Sequence, residues 1–176
     1  MKMITLVGCG LGIVLLYACT MSAQSVPERL LTGYEPLDER LSRMVTADST
    51  SLSPAEVMKL ENPVYLDARN QEEYVVSHLP QARYLGYDTP DYGQLAALAK
   101  DTPLVVYCTI GYRSERMVEE LKSRGFTQVY NLYGSIYAWI LAGQPIVDAD
   151  GPVQRVHTYN KKWGSYLPDS IVTKVY

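Results

Sequence analysis

The run Leu104-Val105-Val106-Tyr107-Cys108-Thr109-Ile110-Gly111-Tyr112-Arg113-Ser114-Glu115-Arg116 decides the fold, because its character changes within a few positions. Leu104 to Tyr107 is apolar without alternation, which suits a central strand covered on both faces. Residues 109–113 must then turn the chain, and Gly111 permits a backbone angle that other residues resist. From Ser114 to Arg124, the residues Met117, Val118 and Leu121 recur at helical spacing, and Gly125 is placed to end the helix. A buried strand, a short turn and an amphipathic helix make the repeating unit of an open α/β sheet.

Outward from that unit the pattern recurs. Val64 to Leu66 reads as a short strand ending at Asp67, residues 83–85 as another, and Val129 to Leu132 as one more. Helices are expected over 35–44, over 54–60 with Ser53 as N-cap and Glu56 closing a capping box, over 92–100, and over 135–142 before Gly143. The expected fold class is α/β: an open, mostly parallel sheet that includes these four strands, with helices on both faces.

At 176 residues the chain suits one domain with short extensions. Its 47% hydrophobic and 20% charged residues are the balance of a globular protein. A net charge of -3 and the lack of any long Lys/Arg run make nucleic acid an unsuitable partner.

Lys2 is followed by an apolar run over 4–18, with polar sequence from Ser22, which has the outline of a signal peptide over 1–22. Leu16-Tyr17-Ala18-Cys19 resembles a bacterial lipobox, so acylation of Cys19 and ordinary cleavage near Ser22 or Ala23 are both open routes. An uncleaved anchor is a third. The expected location is the periplasm, free or attached to the membrane as a lipoprotein, with membrane contact only through that N-terminus. The remaining segments are a linker and lead-in helix over 23–50, the main domain over 51–148, and a C-terminal extension over 149–176 packing on it. Cys9 leaves with the leader; once Cys19 is acylated or removed, Cys108 is the remaining free thiol, so no internal disulfide stabilises the exported domain.

Cys108 falls at the carboxyl end of a strand, where open α/β sheets form their ligand crevice. Backbone N–H groups of the turn and the positive end of the following helix make an anion site around the sulfur. Arg113, the only cation inside the loop, adds a permanent charge. Such surroundings lower a thiol pKa and yield a nucleophilic thiolate.

Residues 108–114 resemble the active-site loop of the rhodanese family of sulfurtransferases. Leu66-Asp67-Ala68-Arg69 resembles that family's D-x-R segment, and Glu73-Tyr74 with Ser77-His78-Leu79-Pro80-Gln81-Ala82 its E-[YF] and G-H-I-P-G-A stretch. Gly134, Trp139, Gly143 and Pro145 fit the closing G-G-x-x-x-W-x-x-x-G-x-P pattern, with Ser135 at the second glycine. The resemblance covers residues 52–147 and implies a five-stranded, mostly parallel sheet of this α/β class. It implies a sulfurtransferase of the thiosulfate type in which Cys108 carries a persulfide. Thr109, Ile110, Gly111, Tyr112, Arg113 and Ser114 would hold the outer sulfur, and Asp67 and Arg69 would act as a supporting ion pair. It further implies a small thiosulfate-like donor, a thiol, cyanide or protein-thiol acceptor, and no metal or organic cofactor.

Protein tyrosine phosphatases use C-x5-R, whereas Cys108 and Arg113 bracket four residues, a smaller cradle suited to a single sulfur atom. No C-x-x-C pair supports thioredoxin-like exchange. With His78 and His157 as the only histidines, a metal site has no support. His78 is expected in a structural turn. Two other readings stay open: a rhodanese-fold binding module without turnover, and a thiol redox sensor. The tail around Tyr159 and Trp163 is expected to pack across the domain surface, to face a partner, or to shape the rim of the site.

Overall fold

The computed structural model describes residues 25–176. The leader over 1–22 and Cys19 lie outside the described residues. Among the described residues no helix is long and apolar enough to cross a membrane.

The central sheet has five strands: β1 (Ser51–Leu52), β2 (Val64–Asp67), β3 (Arg83–Tyr84), β4 (Leu104–Tyr107) and β5 (Val129–Leu132). Their order is β1-β5-β4-β2-β3, and every pairing is parallel. β4 is therefore the middle strand, in register with Val64 to Asp67 on one side and Val129 to Asn131 on the other. All four of its residues are fully buried, as its unbroken apolar run requires.

Period-2 alternation assigns each β4 side chain to a face. Leu104 and Val106 join Leu66 against Met117, Val118 and Leu121 of α4 (Tyr112–Ser123). Val105 and Tyr107 face the other way, among Leu37 and Leu41 of α1 (Glu35–Met44) and Ile136 and Tyr137 of α5 (Ser135–Leu141). Helices thus cover both faces. α1 is part of the core itself, since Leu37 and Leu41 are completely shielded from solvent.

Two short helices begin with reciprocal caps. Glu56 accepts from the Ser53 N–H at the start of α2 (Pro54–Val57), and Glu73 accepts from the Asn70 N–H at the start of α3 (Gln71–Val76). α2 ends three residues before the expected position.

The helix expected over 92–100 does not form. A single 3-10 turn spans Gly93–Leu95, and the pairings Leu95 N–H to Tyr92, Ala96 to Gly93, Leu98 to Leu95 and Thr102 to Ala99 are all three residues apart. Gly93 costs about 1 kcal/mol in a helix interior, and its N–H is drawn to the Asp91 side chain. Leu95 still reaches the core, so the apolar spacing reports burial and not helix.

Beyond the sheet, β6 (Ile146–Asp148) and β7 (Gly151–Val153) form a hairpin. Val147 exchanges backbone bonds with His78, at 2.8 and 2.9 Å. The chain then runs through β8 (Arg155–His157), α6 (Lys161–Gly164) and β9 (Thr173–Val175), with β8 and β9 paired in parallel. Val156, Leu167 and Val172 from this segment enter the core on the α1/α5 side.

Candidate active site

Cys108 stands one residue beyond β4, on the floor of a cleft of about 270 Å³, with its sulfur almost wholly buried. Gly111, at φ 119°, occupies a conformation that L side chains rarely adopt, and this turns its N–H onto the Cys108 Sγ at 3.1 Å. The Ser114 hydroxyl, in the first turn of α4, lies 3.6 Å from the same sulfur. Burial pushes the Cys108 thiol up. The Arg113 charge, the Ser114 backbone and hydroxyl and the Gly111 N–H outweigh it, leaving the thiol below its ordinary value.

Two buried side chains support this arrangement without having been assigned a role from sequence. Asn131, in β5, competes with the Cys108 sulfur for the single Ser114 hydroxyl proton, its Oδ1 lying 2.7 Å from the Ser114 Oγ, and donates to the Gly111 carbonyl at 3.2 Å. It ties the turn to the neighbouring strand. Ser135 accepts from the Cys108 N–H at 2.9 Å and places its Oγ 3.9 Å from the sulfur. It does so from a left-handed backbone, φ 52°, directly after Gly134 at φ 72°. A Cβ at Gly134 would come within 2.7 Å of the Ala138 Cβ, so that position must be glycine.

Arg113 does not point at the sulfur. Its guanidinium makes a two-pronged pair with Glu73, both contacts at 2.8 Å, and donates to the Thr109 hydroxyl at 2.8 Å. Thr109 in turn donates to Glu73 at 3.0 Å. Its effect on Cys108 is therefore that of a nearby permanent charge, acting through its field. Burial would raise the Glu73 carboxyl, but Arg113, Arg69 and the Asn70 N–H hold it below the usual carboxylate range. The Asn70-x-x-Glu73 cap was the readable sign of α3, but nothing local links Glu73 to a residue forty positions away.

Asp67 and Arg69 form a fully buried pair: Arg69 Nε is 2.9 Å and Nη2 2.6 Å from the carboxylate. Nη2 also donates to the Ser77 carbonyl at 2.6 Å, and the guanidinium lies 5.7 Å from the Tyr107 ring centroid. The pair thus braces the end of β4 and the 77–79 turn, and the Arg69 charge also acts on Glu73, which holds Thr109 and Arg113 of the loop. His78 stacks on Tyr74 with ring centroids 4.1 Å apart and its Nδ1 meets the Tyr74 carbonyl, a structural setting. Trp139 donates to the Pro145 carbonyl at 2.8 Å and meets Tyr65 edge-on, closing the turn after α5.

The rhodanese-like domain family matches residues 53–142, half of the chain. The chain belongs to the rhodanese-like family. It is 31% identical over 108 residues to the thiosulfate sulfurtransferase GlpE of Coxiella burnetii, a match spanning 61% of this chain and 98% of that one. It is 33% identical over 104 residues to a sulfurtransferase of Allochromatium vinosum, spanning 59% and 95% respectively. A tRNA uridine(34) hydroxylase of Onion yellows phytoplasma is 34% identical over 134 residues, covering 68% of this chain but 43% of that protein. Among solved structures, the rhodanese-like domain of an Anabaena protein superposes with a TM-score of 0.51 at 23% identity, over 57% of this chain and 80% of that one. This likeness bears on the fold alone, and agrees with the five-stranded parallel sheet.

In this rhodanese-like chain the hydroxyl of Ser114 is the closest side-chain donor to Cys108, so its removal should be read directly in thiol reactivity. Ser114→Ala is expected to slow alkylation of Cys108 by iodoacetamide at pH 7 about three- to tenfold, the scale of one ordinary hydrogen bond, since the contact is long and its proton is shared with Asn131. The rate-against-pH curve should move toward higher pH, because the thiolate loses a donor. An unchanged curve would remove Ser114 from the thiolate's surroundings.

Proposed function

We propose that this protein is a sulfurtransferase that moves sulfane sulfur through a persulfide on Cys108. What carries the reading is the position of the Cys108 sulfur, on the floor of an open cleft and beside the Gly111 N–H and the Ser114 hydroxyl. The thiolate attacks the outer sulfur of a donor; with thiosulfate the S–S bond breaks and sulfite leaves with the electron pair. The charge then resides on the outer persulfide sulfur, stabilised by the N–H groups of residues 109–114, by the Arg113 field and by the start of α4. A thiophilic acceptor such as cyanide, a small thiol or a protein thiol takes that sulfur, and Cys108 returns as thiolate. Neither a metal nor an organic cofactor enters any step.

The apolar run over 4–18 supports export to the periplasm, with either a free N-terminus or an acylated Cys19.

Intact-mass analysis after separate incubation with thiosulfate and with a thiosulfonate tests the mechanism. A gain of one sulfur atom on Cys108, removed by cyanide, is the expected result. If neither donor adds sulfur, the chain is a binding module. Reversible sulfenic acid on peroxide treatment, in place of persulfide, would identify a redox sensor.

A further inference from the structure

The walls of the cleft over Cys108 come from well outside the loop. Ile110 and Tyr112 belong to the loop, but Met44 comes from α1, Tyr87 from the segment after β3, and Tyr159 and Trp163 from the C-terminal segment. These six side chains are apolar or aromatic, and the last two are held in place. Trp163 donates its backbone N–H to the Asn160 side chain, accepts from the Tyr137 hydroxyl on its carbonyl, and has the Arg40 guanidinium 5.0 Å from its ring centroid. Tyr159 adopts a left-handed backbone, φ 64°, donates its N–H to His157 Nδ1 at 3.1 Å, and sets its ring 5.6 Å from the Arg113 guanidinium carbon.

The charges near the cleft do not favour a dianion. Arg113 is committed to Glu73, Thr109 and the Tyr159 ring, and the Glu73 carboxylate cancels its charge. Asp88 adds a negative charge to the lining, and the Cys108 thiolate another. Arg116 is turned onto the Tyr112 ring, 3.6 Å from its centroid, and onto the Tyr112 carbonyl. A small, strongly hydrated dianion entering here would give up water for no free cation, whereas an apolar body would displace water from aromatic walls.

We infer that the donor is a sulfane sulfur carried on an apolar, aromatic-sized body with at most one negative charge, and that Tyr159 and Trp163 select it. This rests on the Cys108 persulfide reading. Cys108 Sγ bonds to the outer sulfur, the bond from that sulfur to its carrier breaks, and the carrier leaves with the electron pair, as sulfinate from a thiosulfonate or as thiolate from an organic persulfide.

The test compares kcat/KM for benzenethiosulfonate, methanethiosulfonate, benzyl persulfide and thiosulfate, with cyanide as acceptor. Benzenethiosulfonate is expected to exceed methanethiosulfonate about tenfold or more, and thiosulfate to be the poorest donor. Benzyl persulfide against benzenethiosulfonate tells which carrier the site prefers. Tyr159→Ala, at an exposed side chain, should lower the benzene-to-methane ratio about threefold, and Trp163→Ala further. Thiosulfate matching or exceeding the aromatic donors, or a ratio unmoved in Tyr159→Ala, overturns the inference while leaving the persulfide mechanism intact. Failure of all four donors to load Cys108 overturns the mechanism itself.

Discussion

Replacing Cys108 by serine is expected to lower sulfur transfer at least about a thousandfold with every donor, the scale seen when a nucleophile is lost. The donors around position 108 are arranged for a thiolate: one N–H from Gly111 at 3.1 Å, one hydroxyl from Ser114 at 3.6 Å, and a nearby cation. They can bring a thiol below its ordinary value. A serine hydroxyl starts so far higher that the same surroundings leave it protonated, and no histidine is hydrogen-bonded to position 108 to take its proton. The variant should fold, because serine is smaller than cysteine and enters a polar neighbourhood of Ser114, Ser135 and Asn131. Thermal unfolding within a few degrees of the parent, together with loss of transfer, is the expected pair of results. Residual transfer above about one part in a hundred would show that the sulfur does not pass through Cys108.

The largest effect on stability is expected at Asp67. Asp67→Ala leaves the Arg69 guanidinium fully buried without its carboxylate, and breaking a buried ion pair by removing one partner costs about 3–5 kcal/mol. That is a large part of the roughly 5–15 kcal/mol that holds a domain together. Arg69 has no reserve, since its Nη1 already lacks a hydrogen-bond partner. Equilibrium urea unfolding should show the loss as a lower midpoint with an unchanged slope. Because Arg69 also holds the Ser77 carbonyl and faces the Tyr107 ring, part of the loss should reappear as slower Cys108 alkylation in the folded protein. A destabilisation under about 1 kcal/mol would mean that the 67–69 turn relaxes and lets Arg69 reach water.

How much of the site could be read in advance depended on the range of the force involved. Cys108 at a strand end, the left-handed Gly111, and Ser114 in the first helical turn are consequences of local sterics and apolar patterning. The central strands β4 and β5 and the helix α1 have the bounds their sequence implied. The 92–100 segment failed for a related reason: its apolar spacing was real, but a short run containing glycine lacks the cooperative stability of a helix. The partners were not legible. Arg113 could have faced the sulfur, yet Glu73, delivered by α3 from across the sheet edge, captures it.

Taken alone, the sequence determined the strand-turn-helix unit, the parallel α/β class, the cysteine at the strand end and the pairing of Asp67 with Arg69, since each follows from neighbours within a few positions or from an ordered set of motifs. Only the tertiary structure decided which charges cancel and what forms the walls of the cleft. Glu73, Asn131 and Ser135 reach the Cys108 loop from three separate elements, and Tyr159 and Trp163 close over it from the end of the chain. Their spacing along the sequence carries no trace of this, because a side chain's partner in a packed core is set by where the backbone passes, and that is decided by the burial of the whole sheet.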